Sequence, residues 1–238
     1  MNTIFWSALG IGGATLIGSA LGFVFREWAT RYSGIILSLS AGVMLAAAIS
    51  GLIEPAMESN GVSGIILSTV GIFLGAVTLF AIEALIPVGS VGDAKGAVLF
   101  AIAIAIHNLP EGIAAGIGFG AGDTEAAISV AVGIALHNLP EGMIVVAPLM
   151  ASRLGFLKTL LLATAGGVAE VLGTFLGYFA ARVSTLLLPL ALSFAGGTML
   201  YAIASEMIPE AQAHGKRRAS FALILGFTAM AAVSVLIN

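Results

Sequence analysis

Long apolar stretches alternate with short polar ones along almost the whole chain of 238 residues. As an α-helix, a stretch of about 20 residues spans a hydrocarbon core roughly 30 Å thick. Transmembrane β-strands are shorter and alternate in polarity, so helices are the better interpretation. The pattern predicts eight transmembrane helices, spans one to eight, over residues 3 to 25, 35 to 57, 65 to 86, 97 to 121, 126 to 150, 157 to 181, 187 to 211 and 219 to 237.

Composition supports the same fold class. Hydrophobic residues make up 59% of the chain and charged residues only 9%, unlike a soluble globular domain. Because apolar segments continue to the C-terminus, the first one is interpreted as a permanent span and not as a cleaved signal. The sequence therefore predicts an all-α integral membrane protein with a single transmembrane domain, residues 1 to 238. The lipid bilayer is an expected partner and nucleic acid is not.

The basic residues are distributed unevenly between the predicted loops. Eight of the nine fall in the loops that follow spans one, three, five and seven, which would all lie on one side of the membrane. They are Arg26, Arg31, Lys95, Arg153, Lys158, Lys216, Arg217 and Arg218. Only Arg182 falls on the other side. Cytoplasmic loops are enriched in lysine and arginine, so both termini are predicted to lie outside, in a multi-pass protein of the inner (cytoplasmic) membrane.

Spans two and seven share a short sequence similarity. Ala-Gly-Val-Met-Leu at 41 to 45 resembles Gly-Gly-Thr-Met-Leu at 196 to 200, and a Glu-Pro or Pro-Glu pair follows in each span. An odd number of crossings separates the two spans, so the similar sequences run in opposite directions. This pattern indicates inverted repeats, which are common in secondary transporters. A chance match between helices rich in glycine and alanine is the alternative.

The string His-Asn-Leu-Pro-Glu-Gly occurs twice, at His107 to Gly112 and at His137 to Gly142. Both copies lie inside predicted spans, where an ionisable side chain is costly and therefore a candidate functional residue. Histidine and glutamate four residues apart share a helix face, as do asparagine and glutamate three apart. Imidazole, carboxylate and amide groups together suit divalent first-row metals. Two such clusters on adjacent helices predict a cation site.

The prolines of the two motifs are expected to kink their helices. Pro110 clashes with the carbonyl group of Ile106, and Pro140 with that of Leu136. Each clash would free a carbonyl group at membrane depth, which is tolerable only where protein or water satisfies it.

A purely structural explanation of the motifs is that His and Asn form hydrogen bonds between helices. It accounts for the asparagines but not for paired glutamates, because neighbouring carboxylates repel each other unless a cation or a proton lies between them. With no cysteine in the chain, thiolate ligands are excluded, and any metal must be held by nitrogen, oxygen or methionine sulfur.

Further ionisable residues are weaker candidates. Glu170 follows two glycines at the middle of span six and would supply a third carboxylate, or be protonated and hydrogen-bonded. Those toward span ends are interpreted either as entry and exit ligands or as interfacial residues: Glu54, Glu206 and Glu210. Glu83 is expected to face the interface and His214 to be solvated. Asp123 and Glu125 make the loop between spans four and five acidic, which could concentrate cations.

The doubled motif, together with AGGVAEVLGTFLGY in span six and SEMIPEA in span seven, resembles the ZIP family of divalent metal transporters, within it the bacterial zinc-transporter-like branch. The resemblance covers essentially the whole chain. It implies uptake of zinc, and often iron, manganese or cadmium, toward the cytoplasm.

The resemblance also implies ligands, here numbered for this sequence. His107, Glu111, His137 and Glu141 would hold one ion, while Asn108, Asn138 and Glu170 with the shared glutamates would hold a second. Some relatives have an acidic residue where Asn138 stands, so the second site is less charged here. The cation is the substrate, and no catalytic cofactor is expected.

The sequence thus favours a secondary transporter with a metal site near the membrane midplane. One alternative is an intramembrane metal-dependent hydrolase, but the His-Glu-x-x-His signature of zinc proteases is absent, so the protein is not expected to be an enzyme. A metal-selective channel is the other alternative. Metal selectivity, proton coupling and oligomeric state, a homodimer included, are left open.

Overall fold

The computed structural model describes residues 2–59, 61–85, 94–122, 124–151, 154–182 and 188–237. All regular structure in these ranges is helical, and eight helical segments are long and apolar enough to cross a membrane. Their bounds are Asn2–Val24, Ser33–Glu58, Gly61–Leu85, Gly96–Ala121, Thr124–Val146, Phe156–Ala181, Leu188–Ala213 and Lys216–Ile237. The predicted eight-helix membrane protein is confirmed, with ends that differ by at most four residues. Asp123 and Arg153 lie outside the described residues.

Consecutive spans run in opposite directions, so the bundle has two ends. We call the end with residues 2 and 237 the terminal end; spans two, four and six end there and spans three, five and seven begin there. The opposite end, at which spans one, three, five and seven end, we call the basic end. A short helix, Arg26–Arg31, connects spans one and two at the basic end.

Spans four and five are continuous helices despite their prolines. Ala94–Ala121 runs through Pro110 and Thr124–Ala151 runs through Pro140. The motif prolines therefore end neither helix. Proline removes only its own N–H group here, and the packing of neighbouring spans keeps the helix intact.

Spans two and seven are interrupted instead, and in the same way. The α-helices Ser33–Ala48 and Leu188–Ala202 each pass into a five-residue π-helix, Ile49–Ile53 and Ile203–Met207. The spans then end as Glu54–Glu58 and Ile208–Ala213, with Pro55 and Pro209 in the first turn. A proline has no N–H group and clashes with the carbonyl four residues back, and the wider π-turn accommodates it. Span six is divided more mildly, into Phe156–Ala163 and Ala165–Ala181.

The spans pack chiefly as four parallel pairs: one with five, two with eight, three with seven, and four with six. Suppose that span one is exchanged with span six, span two with span seven, span three with span eight, and span four with span five. The same four pairs result, as expected for two repeats of similar structure. The matching π-helices obey the same exchange. The packing therefore supports the inverted repeat predicted from spans two and seven.

Glycines bring the backbones of each pair into contact. A Cβ atom at Gly18, Gly42, Gly112 or Gly197 would lie 2.0–2.3 Å from a carbonyl oxygen of the partner span. Only glycine permits so close an approach between helices. Gly112, the last residue of the first motif, lies against the backbone of Glu170, and Gly142 of the second motif lies against Thr15. The motif glycines therefore place the motif side chains close to spans six and one.

Apolar side chains fill the terminal half of the bundle between spans two, four, five and seven. Leu52, Val130, Ile134 and Met199 are at most 1% exposed and belong to one continuous core. This half of the molecule is closed by close packing of apolar groups.

Substitution of Gly12 tests the close packing of span one against span six. A Cβ atom there would lie 2.5 Å from the carbonyl oxygen of Gly167. We expect Gly12→Ala to destabilise the protein by about 1 to 3 kcal/mol through overpacking. Gly13→Ala is the matched control, because nothing lies within 4 Å of its added Cβ atom. Equal melting temperatures of the two variants in detergent would contradict this packing.

Candidate metal centre

Three side chains of the two motifs converge between spans four and five. His137 Nε2 lies 3.6 Å from Oε1 of Glu111 and 3.6 Å from Oε2 of Glu141. The three residues offer ligand atoms that all lie within 4.8 Å of one another, and we call them the central cluster. Glu111 and His137 are each 1% exposed.

The spacing within the central cluster suits a bound cation better than direct hydrogen bonds. Hydrogen bonds between nitrogen and oxygen have heavy-atom distances of about 2.7 to 3.2 Å. Two ligands on one tetrahedral zinc ion, each about 2.0 to 2.2 Å from it, lie about 3.3 to 3.6 Å apart. The 3.6 Å separations are close to the second value.

Several polar atoms in and around the central cluster lack hydrogen-bond partners among the described residues. Both carboxylate oxygens of Glu111 and Nε2 of His137 are buried and unpartnered, as are the side-chain oxygens of Asn108 and Asn138. A buried polar atom without a partner costs free energy, and a charged one costs more. A divalent cation bound by Glu111, His137 and Glu141 would compensate the unpartnered atoms of Glu111 and His137 at once.

Asn108 and Glu170 extend the cluster into a network across four spans. Asn108 Nδ2 donates hydrogen bonds to Glu170 Oε1 at 2.7 Å and to Glu141 Oε2 at 3.2 Å. The hydroxyl group of Thr15, on span one, donates to Glu170 Oε2 at 2.9 Å. Both hydrogen bonds of Asn108 are donated by its amide nitrogen, which fixes the orientation of the amide group. Its amide oxygen makes no hydrogen bond with the described residues. Thr15 was not foreseen, because a lone threonine in an apolar span carries no distinguishing signal.

Asn138 is placed differently from the other predicted ligands. Its Nδ2 donates to the backbone carbonyl of Ile11 on span one at 3.2 Å. The amide nitrogen therefore contacts span one and not the central cluster, while the amide oxygen is buried without a partner.

His107 lies between the central cluster and a second group of ligands. Its Nε2 is 3.9 Å from Glu111 Oε1, and its Nδ1 is 3.8 Å from Glu206 Oε2. Glu83, His107 and Glu206 offer ligand atoms within 4.8 Å of one another, and we call them the vestibule cluster. The expectation that Glu83 faces the membrane interface is therefore wrong, because the packing of span three on span seven places it beside Glu206.

A cavity of about 340 Å³ connects the two clusters. Its wall includes members of both clusters and also Glu210, with apolar side chains such as Leu37 and Ile144 between them. The lining residues lie between the middle of the bundle and the basic end, and the side chain of Glu206 is 54% exposed. The central cluster thus lies at the inner limit of a cavity that leads to the basic end.

The remaining candidates are more peripheral. Glu54 is exposed toward the terminal end, outside the cavity. His214 is exposed at the basic end, where its Nδ1 donates to the carbonyl oxygen of Glu210 at 3.1 Å, as expected of a solvated residue.

Comparison with known proteins identifies the family. The model of the family described as ZIP zinc transporter matches residues 89–234, more than half of the chain. The chain belongs to the ZIP family. It is 35% identical over 232 residues to the zinc transporter GufA of Myxococcus xanthus, covering 91% of each chain. To the zinc transporter ZupT of Chlorobium luteolum it is 33% identical, covering 95% of this chain and 94% of that one.

A further ZIP relative matches over a shorter region. The zinc transporter ZIP11 of Bos taurus is 38% identical over 144 residues, which is 58% of this chain and 42% of that protein. Members of the ZIP family are transporters and not enzymes, so the hydrolase alternative is not supported.

The close approach of the Glu111 and Glu141 carboxylates has an effect on stability that can be measured. Glu111→Gln removes the repulsion with Glu141, so we expect the metal-free variant to melt above the wild type, by about 2 to 4 °C for each kcal/mol gained. Added zinc should stabilise the wild type by about 2.7 kcal/mol at 100 times its dissociation constant, but not the variant. Glu58→Gln, at an exposed carboxylate of span two, is the control. A metal-free variant less stable than the wild type would contradict this repulsion.

Proposed function

We propose that this protein is a secondary transporter that carries divalent metal ions, zinc foremost, across the membrane into the cytoplasm. The observation that carries the proposal is the central cluster, in which both carboxylate oxygens of Glu111 and Nε2 of His137 are buried without hydrogen-bond partners among the described residues, beside the carboxylate of Glu141. The relatives named as zinc transporters support zinc as the substrate. We propose the cytoplasmic membrane as its location.

The proposed binding residues divide into two groups. Glu111, His137 and Glu141 bind the ion directly, joined by His107 on the cavity side. Asn108, Asn138 and Glu170 contribute as oxygen ligands of a second ion or as partners that orient the first set. Nitrogen and oxygen ligands without thiolates suit zinc and also accommodate iron, manganese and cadmium.

The proposed direction of transport follows from the cavity and the loop charges. The ion leaves the central cluster through the vestibule cluster toward the basic end, which carries most of the basic loop residues. By the positive-inside rule this end faces the cytoplasm. The structure therefore corresponds to an inward-open state in our proposal.

Alternating access requires that the terminal half opens in another state. Spans one, four, five and six pack together as two parallel pairs, and spans two, three, seven and eight form the other two. Every residue of the central cluster belongs to the first unit. Movement of this unit against the second would carry the ion past the apolar core around Leu52 and Ile134. A carrier accounts for this closed half better than a channel, which needs a continuous path.

Zinc uptake into reconstituted vesicles tests the proposed function. We expect the wild type to accumulate zinc and Glu111→Ala and His137→Ala to lose at least about tenfold in rate, because each removes a ligand. Glu58→Ala, at an exposed carboxylate near the end of span two, should transport normally. Cadmium, iron and manganese are compared in the same assay. Unchanged accumulation in both ligand variants would refute the site assignment.

The vestibule cluster should affect release more than binding. Glu206→Gln removes a charge from the exit path but leaves the central cluster intact, so we expect a lower maximal rate and a zinc affinity within about threefold of the wild type. Equilibrium zinc binding and uptake kinetics on the same preparation give both quantities. Weaker binding at an unchanged maximal rate would instead place Glu206 among the binding residues.

A further inference from the structure

A buried hydroxyl group contacts His137 at the ring nitrogen that faces away from the two carboxylates of the central cluster. Ser40, on span two, is 1% exposed, and its Oγ lies 2.6 Å from Nδ1 of His137. The same Oγ lies 3.1 Å from the backbone carbonyl oxygen of His137. On the opposite side of the ring, Nε2 faces Glu111 and Glu141. The two ring nitrogens therefore have different partners.

Counting protons determines which nitrogen carries the hydrogen. The hydroxyl group of Ser40 has a single hydrogen, and the carbonyl oxygen can only accept. Both contacts are hydrogen bonds only if the hydroxyl donates to the carbonyl oxygen and Nδ1–H of His137 donates to Oγ. A neutral imidazole with its proton on Nδ1 has a lone pair on Nε2. That lone pair points toward the carboxylates of the central cluster.

We propose that Ser40 is a positioning residue of the metal site, holding His137 in the tautomer that can bind a divalent cation. Ser40 acts through His137 and does not itself touch the ion. A ligand histidine usually donates its other N–H group to an oxygen, which fixes both tautomer and ring orientation. The proposal rests on the proposed function, since it concerns how the same site binds its ion.

The inverted repeat shows that only one of the two motif histidines has this support. Residues 37 to 45 correspond to residues 192 to 200, and Met44 and Met199 occupy equivalent positions, each 1% exposed. Ser40 then corresponds to Ala195, which has no hydroxyl group. His107 instead has a carboxylate near each ring nitrogen. Its Nε2 lies 3.9 Å from Glu111 of the central cluster, and its Nδ1 lies 3.8 Å from Glu206 of the vestibule cluster. His137 is thus the ligand anchored by a hydroxyl group, and His107 lies between the two clusters.

Nuclear magnetic resonance of the imidazole nitrogens tests the tautomer directly. The chain has three histidines, so a protein labelled with ¹⁵N-histidine gives a simple spectrum, and His137→Gln assigns the signal. In metal-free wild type, at a pH high enough for the imidazole of His137 to be neutral, we expect its proton on Nδ1. In Ser40→Ala we expect a mixture of tautomers and about 10- to 100-fold weaker zinc binding.

Two further variants separate positioning from packing. Ser40→Thr retains the hydroxyl group and should restore the tautomer and most of the zinc affinity. Ser38→Ala is the matched control, because Ser38 is also buried on span two but donates to the carbonyl oxygen of Ala219 on span eight. It should leave both quantities unchanged.

The outcomes distinguish this proposal from the proposed function. A Ser40→Ala protein that keeps the Nδ1 proton would overturn the positioning role, whatever its zinc affinity. Equal losses of affinity in Ser40→Ala and Ser38→Ala would also overturn it, since they would indicate packing alone. A wild type that binds no zinc would refute the proposed function, while the tautomer measurement would still report on the contact between Ser40 and His137.

Discussion

The structure depends on two carboxylates held close to one imidazole inside the membrane-spanning bundle. Glu111 and Glu141 approach the same imidazole nitrogen at 3.6 Å, and the oxygens of Glu111 accept no hydrogen bond from the described residues. Such an arrangement is unfavourable without a cation, because like charges repel and each is deprived of water. The rest of the fold serves to impose it: the motif glycines hold spans six and one against the motif helices, and Asn108 and Thr15 fix the adjoining carboxylate of Glu170.

The fold is symmetric in its packing but not in its polar groups. Counted from the first residue of each π-helix, position 52 corresponds to position 206. The first repeat has Leu52 there, in the closed core, and the second has Glu206, in the vestibule cluster. Ser40 and Ala195 differ in the same manner. A symmetric scaffold gives two similar conformations related by exchange of the repeats. The unequal side chains then make the two ends chemically different, with carboxylates along one path and apolar groups along the other.

Much of the fold could be predicted from the sequence, because hydropathy and helix length determine a membrane span almost directly. The spacing of His137 and Glu141 likewise determined that they share a face. The contributions of Glu83, Ser40 and Thr15 could not be predicted, since they depend on which spans pack together, and backbone contacts at scattered glycines decide that. The effect of each proline on its helix could not be predicted either: Pro110 and Pro140 lie in continuous helices, whereas Pro55 and Pro209 follow π-helices.

The central claim is that the buried carboxylates and imidazole form one cation site. Anomalous diffraction at the zinc absorption edge, from crystals grown with zinc, tests it most directly. The account predicts a strong peak near the membrane midplane within about 2.2 Å of His137 Nε2 and of carboxylate oxygens of Glu111 and Glu141. A zinc-saturated crystal without a peak among these three residues would contradict the account.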